Sequence, residues 1–403
     1  MKKIVTDLNV NNKTVIVRVD FNVPLIDGKI SDDNRIIQAL PTINYLLENG
    51  AKVVLLSHLG KVKHKDEEQA KKDMKKNDMK FITYRLEEIF GDKFHYCDEN
   101  KGSKLEQMVK DLKPGEVLLM QNTRYLKGEE KNDPELGEYW ASLGDAYVMD
   151  AFGSAHRAHA STYGIPSVMD KQGKETAIGF LVEKEVKSLT KCVIGDVHPY
   201  VAVLGGVKVS DKIKVIEGLM KKADKIIIGG AMAYTFLKSL GYDVGNSLVE
   251  EASLDFASKC LSEGKDKIVL PVDFVCTDNF KEPTKITKSN GRTIPFGYEG
   301  VDIGEESIKE FTNIIHSAKM VFWNGPMGVF ENDLFAKGTT SVCKAITEVT
   351  GVFSVIGGGD SASAALKLGY KDKFSHVSTG GGASLEMIEN DGHLPGIDVI
   401  QDK

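Results

Sequence analysis

The chain has 403 residues, of which 41% are hydrophobic and 27% charged, and a formal net charge of −6. That composition can bury more than one core and excludes a disordered, collagen-like or coiled-coil chain. The acidic balance excludes a global basic field that would recruit nucleic acid or an anionic membrane. No apolar run approaches the ~18 residues of a membrane span, and MKKIVTDLNV lacks the apolar stretch of a signal peptide. Five scattered cysteines (Cys97, Cys192, Cys260, Cys276, Cys343) form no zinc or disulfide spacing, so a reducing cytoplasm is the expected location.

Short apolar runs alternate with amphipathic stretches along the whole chain. In the first half, strands are expected at 14–19, 52–56, 94–96, 117–120 and 146–149, with helices at 35–48 and 104–112. In the second half, strands are expected at 200–204, 225–228, 267–270, 320–322, 352–356 and 374–377. Helices follow several of these, at 210–222, 231–240, 337–349 and 361–368. Continuous rather than alternating apolar strands, each followed by a helix, predict parallel sheets covered on both faces. So many strands exceed one compact unit, and two α/β domains are expected. Helical spacing in ETAIGFLVEKEVKSLT places a connecting helix at 175–190. The charged segment 61–80 reads as a solvated loop or exposed helix.

Four glycine clusters follow strands in the second half: Gly205-Gly206, Gly229-Gly230, Gly357-Gly358-Gly359 and Gly380-Gly381-Gly382. A strand, glycines and a helix start put backbone N–H groups at the carboxyl edge of a parallel sheet, where α/β folds bind phosphates. The sequence has no GxxxxGK[ST] loop and no HRD or DFG, which excludes a P-loop NTPase and a protein kinase. GGGDSA satisfies a dinucleotide pattern, but the next strand lacks the acidic residue that grips a ribose. Lys208 and Lys212, four apart at an expected helix start, can face one anion. Asp360 can hold a phosphate-bound Mg²⁺. A nucleoside triphosphate site is the result.

Arginine supplies only six of the 52 basic residues, and five of the six precede residue 160. A chain this sparing reserves arginine for places where a planar fork matters. Arg35 opens a helix, His58 and Lys61 follow the second strand, Arg124 follows the fourth, and His156 and Arg157 follow the fifth. In a parallel sheet those positions share one edge, which suits a small, multiply anionic ligand. Asp20 and Asn22, past the first strand, add groups that can hold a hydroxyl. A basic small-anion site on one domain and a nucleotide-phosphate site on another suit phosphoryl transfer with closure that excludes water.

RVDFNVP (18–24) makes the sequence resemble the phosphoglycerate kinase family. The resemblance continues through SHLG, DAFGSAHRAHAS, LGGVKVSDKI, WNGPMGVFE, GGGDSASA and STGGGASLE, in family order and over essentially the whole chain. It implies two Rossmann-like domains joined by a linker helix, with the active site in the cleft between them. Residues 1–174 would bind 3-phosphoglycerate, with 391–403 returning to that domain, and residues 191–390 would bind the nucleotide. The resemblance assigns Asp20, Asn22, Arg35, His58, Lys61, Arg124, His156 and Arg157 to the glycerate. Arg35 and Lys208 would act on the transferring phosphoryl group. Lys212, Gly229, Gly230, Asn324, Glu331, Gly357, Gly358, Gly359, Asp360 and Ser361 would hold ATP or ADP, with Asp360 serving its Mg²⁺. Gly380, Gly381 and Gly382 would form a loop over the transferring group. A monomer acting only on small molecules is implied. The chain departs from the family's pattern at Lys61 and Val62, where SHLGRP is usual, and at Ser361, where GGGDT is usual. The acceptor is a carboxylate already ionised at neutral pH, so no general base is expected. An NAD-dependent oxidoreductase and a non-catalytic anion-binding homologue are the rival readings.

Overall fold

The computed structural model describes residues 1–264 and 266–403, and the chain divides into two compact units. The first comprises residues 1–186 and 393–403; the second comprises residues 187–392.

The first unit is built on a six-stranded parallel sheet. Its spatial order is Phe94–Cys97, Val117–Met120, Lys52–Leu56, Thr14–Val19, Ala146–Asp150 and Glu175–Ile178. The central strands are buried on both faces, which is why VIVRV and VVLL read as continuous apolar runs. Val15, Val17 and Val19 join one core with Ile36, Ile43 and Leu46 of the helix Asn34–Glu48. Asp27 and Gly28, with φ of 50° and 72°, close the hairpin of Leu25–Ile26 and Lys29–Ile30, the conformation an Asp-Gly turn favours.

One expectation is corrected here. Residues 175–190 are not one helix: Glu175–Ile178 is the sixth strand, parallel to Ala146–Asp150, and the helix is Phe180–Ile194. Pairing decides the outcome, because ETAI gains a neighbouring strand on one side and the chain terminus on the other. Ile178 N–H donates to Lys3 O at 2.9 Å, and Gln401 N–H to Thr176 Oγ1 at 3.1 Å. The tail also carries Gly396 against the loop after Ala146–Asp150, where Gly396 N–H donates to Ala155 O at 2.8 Å.

The second unit has its own six-stranded parallel sheet, ordered Ile268–Val269, Lys225–Ile228, Tyr200–Leu204, Met320–Asn324, Phe353–Ile356 and His376–Val377. Trp323, Val321 and Ile356 lie in a core with Phe311 and Ile315 of the helix Glu305–His316 and Ile346 of the helix Lys337–Glu348. The outermost strands are shorter than the apolar runs suggested, since each pairs on one side only. The unit also holds an antiparallel sheet, ordered Ile286–Lys288, Phe274–Thr277 and Glu299–Ile303, which the strand–helix alternation did not foretell. No helix among the described residues is long and apolar enough to cross a membrane.

Candidate functional site

In the first unit, four neighbouring parallel strands deliver their following loops to one edge of the sheet. Asp20 and Asn22 follow Thr14–Val19, His58 and Lys61 follow Lys52–Leu56, Arg124 follows Val117–Met120, and His156 and Arg157 follow Ala146–Asp150. Arg35 stands in the first turn of the helix Asn34–Glu48, and its Nη1 donates to Asp20 Oδ2 at 2.6 Å. Asp20 Oδ1 accepts from the Asn22 N–H at 3.1 Å, and Asn22 Oδ1 accepts from the Gly60 N–H at 2.8 Å. Arg124 Nη1 donates to Gly60 O at 2.7 Å. These bonds tie three of the four loops together.

Buried Asn122 orders two of them. Its amide donates to Leu59 O at 2.7 Å and Asn77 O at 2.9 Å, while its oxygen accepts from the Arg124 N–H at 3.0 Å. The charged segment 61–80 is therefore anchored rather than free. It carries the helix Glu67–Lys76, capped by Asp66, and His64 Nε2 hydrogen-bonds Arg124 O at 2.8 Å.

The electrostatics of this edge are strongly positive. Burial and the Arg18 guanidinium hold His58 well below its usual value, so its ring is neutral at pH 7. His159 is pushed down to about 4 by burial, with Arg18 and Arg124 adding to the effect. Burial also pulls the Arg124 guanidinium down, against the pull of Glu130. Burial alone would raise the Asp20 carboxyl, but the surrounding cationic groups, Arg35 and Arg18 among them, outweigh it and hold Asp20 below the usual range. The fold thus gathers three guanidinium groups, of which Arg35 pairs with Asp20 at 2.6 Å and Arg124 with Glu130 at 3.4 Å, while buried Arg18 has no carboxylate partner among the described residues.

Not every expected residue joins the cluster. Lys61 is exposed; its carbonyl accepts from Asn77 Nδ2 at 2.9 Å. His156 is turned to its neighbour, accepting from Arg157 Nε at 3.0 Å. Arg18 and His159 belong to the set by position, beyond the residues that the sequence leads one to expect there. Arg18 sits among valines and reads as a strand residue, marked only by the sparing use of arginine and by its place at the head of RVDFNVP.

In the second unit, the four glycine turns follow parallel strands as expected, and their backbones pack against one another. A Cβ at Gly205 would lie 2.0 Å from Pro326 O, and one at Gly381 would lie 3.2 Å from the Cα of Gly358. Gly230 has a φ of 67°, and a Cβ there would meet Gly206 N at 2.6 Å. Gly229 packs on Met327, and Gly357 on the ring of Phe322. Gly359 faces open space, and it begins the helix Gly359–Lys367. Neither that helix nor Gly381–Glu389, which starts in the turn of Gly380, Gly381 and Gly382, has a side-chain cap. Their first N–H groups remain available to an anion.

Two expectations change. Lys208 and Lys212 do not share a helix face, because the α-helix is Ile213–Met220 and residues 210–212 form a 3₁₀ turn. Lys208 is exposed and pairs with no acid among the described residues. Lys212 turns inward to Gly205 O and to Asn324, whose Oδ1 lies 2.5 Å from its ammonium. Burial pulls Lys212 down to about 8, against the opposing pull of Asp360 and Asp211. Ser361 is fully buried, and its hydroxyl accepts from the Gly325 N–H at 2.7 Å. That hydroxyl joins two loops as an acceptor and keeps its own proton to donate. Asp360 and Glu331 are exposed.

No group of three or more His, Cys, Asp or Glu residues capable of holding a metal occurs among the described residues. Asp360 alone, exposed in the first turn of an uncapped helix, fits a Mg²⁺ that takes most of its ligands from nucleotide phosphates and water.

Comparison with known proteins yields one family. The family model described as phosphoglycerate kinase matches residues 5–391. The chain is 52% identical over 407 residues to the phosphoglycerate kinase of Fusobacterium nucleatum subsp. nucleatum, covering 100% of both chains. It is 53% identical over 407 residues to that of Staphylococcus aureus (strain bovine RF122 / ET3-1), again covering 100% of both. Among solved structures, phosphoglycerate kinase from Coxiella burnetii superposes with a TM-score of 0.87 at 35% identity, covering 99% of this chain and 98% of that one. The Pyrococcus horikoshii OT3 enzyme gives 0.83 at 34% identity, with the same coverage.

Proposed function

The chain belongs to the phosphoglycerate kinase family, and from that footing we propose which of its residues carry the reaction. It is a glycolytic phosphotransferase, moving a phosphoryl group reversibly between 1,3-bisphosphoglycerate and ADP. The first unit holds the glycerate through Asp20, Asn22, Arg35, His58, Arg124 and Arg157, with Lys61 and His156 at its margin. The carrying observation is the gathering of Arg18, Arg35 and Arg124 around His58, with Asp20 the carboxylate set against them and already paired with Arg35. A ligand bearing a phosphate and a carboxylate supplies the missing negative charge.

The second unit holds the nucleotide. Lys212, Asn324 and the open starts of Gly359–Lys367 and Gly381–Glu389 receive phosphates, and Glu331 reaches the ribose. Asp360 holds the Mg²⁺, which neutralises phosphate charge and orients the chain of phosphates when bound. Lys208, exposed and unpaired, is free to meet the transferring group, with Arg35 on the glycerate side.

Transfer to an ionised carboxylate needs no proton removed, so positioning and charge neutralisation supply the catalysis. The reacting atoms must come within about 3–3.5 Å. Because the two ligands belong to different units, we propose a closure that needs both of them. Small-angle scattering tests it: the radius of gyration falls with MgADP plus 3-phosphoglycerate, and an unchanged value overturns closure. The same reading takes the protein as a cytoplasmic monomer.

The function is tested by a coupled assay with 3-phosphoglycerate and MgATP. ADP release that depends on both substrates is expected. Its absence, or reduction of NAD in place of it, overturns the reading.

A further inference from the structure

Arg18 is 1% exposed, on the strand Thr14–Val19. Its Nε donates to Ser161 Oγ at 2.8 Å, its Nη1 to Val19 O, and its Nη2 lies 3.1 Å from His58 Nδ1. It forms no ion pair with a carboxylate among the described residues. Burying a guanidinium without a counter-ion is costly, so its remaining contacts indicate what it does.

A guanidinium has donors and no acceptor. The bond to His58 can therefore exist only if Nδ1 presents a lone pair. A ring protonated at Nδ1, whether neutral or cationic, would set two donors against each other at 3.1 Å. The only proton the ring can carry is on Nε2, which makes no hydrogen bond within the described residues. The backbone is fixed as well: Ser57 Oγ donates to His58 O at 2.9 Å.

We propose that Arg18 is a positioning residue that locks His58 in its neutral tautomer with the proton on Nε2. His58 then meets the anionic substrate as a rigid, uncharged donor. This rests on reading the surrounding arginine cluster as the glycerate site. The charged groups facing His58 agree with the lock: Arg18 from the strand, Arg35 from the helix start and Arg124 from the third loop all oppose a second proton. Asp20 alone favours one, and it is already engaged by Arg35 at 2.6 Å. The consequence is that glycerate binding has no histidine limb near neutral pH.

Long-range ¹H–¹⁵N correlation of the histidine rings in the ¹⁵N-labelled protein tests this directly, with His58 assigned by its loss in His58→Gln. Expected from pH 5.5 to 8 is a protonated Nε2, an unprotonated Nδ1 and no titration. A ring protonated at Nδ1, or one titrating with a midpoint near 6.5, overturns the lock. In Arg18→Gln, whose amide can also accept, a folded protein should show a titrating or mixed-tautomer ring. Its KM for 3-phosphoglycerate should gain a pH dependence over the same range beyond the wild-type one, which comes from the substrate's own phosphate titrating at about 6. An unchanged ring in that variant overturns the lock too, and if the variant fails to fold the wild-type spectrum still decides. Adding 3-phosphoglycerate should shift the Nε2 resonance. A locked ring that does not respond overturns the glycerate-site reading, and with it the role of His58 as donor.

Discussion

Asn324 holds Lys212 from within the second sheet's edge: its Oδ1 lies 2.5 Å from the ammonium, while its own amide donates to Gly357 O at 2.9 Å. One side chain thereby fixes the lysine and the first glycine of the phosphate turn together. Burial has lowered Lys212 to about 8, so it is charged below that pH and loses its charge as pH rises through it. MgADP affinity should therefore fall between pH 7 and 9.5 with an apparent midpoint near 8 or above, since a bound phosphate favours the charged form. Calorimetric titration across that range checks it. Lys212→Arg should flatten the profile, and an equally steep profile in that variant would assign the ionisation elsewhere.

Lys208→Ala should lower kcat by about 10²-fold or more and raise either KM far less. The exposed ammonium has no structural partner to lose, and a charge on the transferring phosphoryl acts mostly in the transition state. Steady-state kinetics with each substrate varied decides it. A kcat within a few-fold (~1 kcal/mol) of wild type means that Lys208 does not touch the transferring group.

Lys61→Arg should be tolerated and should leave the KM for 3-phosphoglycerate unchanged or lower. The Lys61 carbonyl is held by Asn77 Nδ2 at 2.9 Å, so the loop does not depend on the side chain, and a fork can add a second hydrogen bond. A clear rise in KM would mean that position 61 points away from the glycerate.

Asp150 accepts from the Leu181 and Val182 N–H groups at 3.1 and 3.3 Å, and burial raises its carboxyl to about 7. Its folded value lies above its unfolded one, so between about pH 4 and 7 the folded chain holds a proton that the unfolded chain has released. Stability contributed by that proton falls as pH rises through this window, with a slope of at most about 1.4 kcal/mol per pH unit. Asp150→Asn should remove this contribution while its amide oxygen still accepts from the helix. Urea unfolding of wild type and variant from pH 4.5 to 8 measures it, and identical slopes would refute it.

The sequence alone determined the two parallel sheets and which candidate site residues stand at their edges. Strands such as Lys52–Leu56 and Tyr200–Leu204 are covered on both faces, so their apolar runs are continuous and local. The glycine turns are legible because close backbone packing excludes a Cβ, as at Gly205 against Pro326. The arginines are legible because their positions just past strand ends follow from order along the chain. Tertiary structure decided what depends on partners distant in sequence. Glu175–Ile178 has helical spacing and becomes a strand only through Ala146–Asp150 and the returning tail. The antiparallel sheet of Phe274–Thr277 is set by pairing with segments on its C-terminal side, rather than by a run of its own. Lys212 looks like a surface lysine until Asn324, 112 residues away, draws it inward. Arg18 looks like an interruption in a strand until folding stacks the loop of His58 above it, 40 residues on, where a donor-only guanidinium dictates which ring nitrogen keeps its proton.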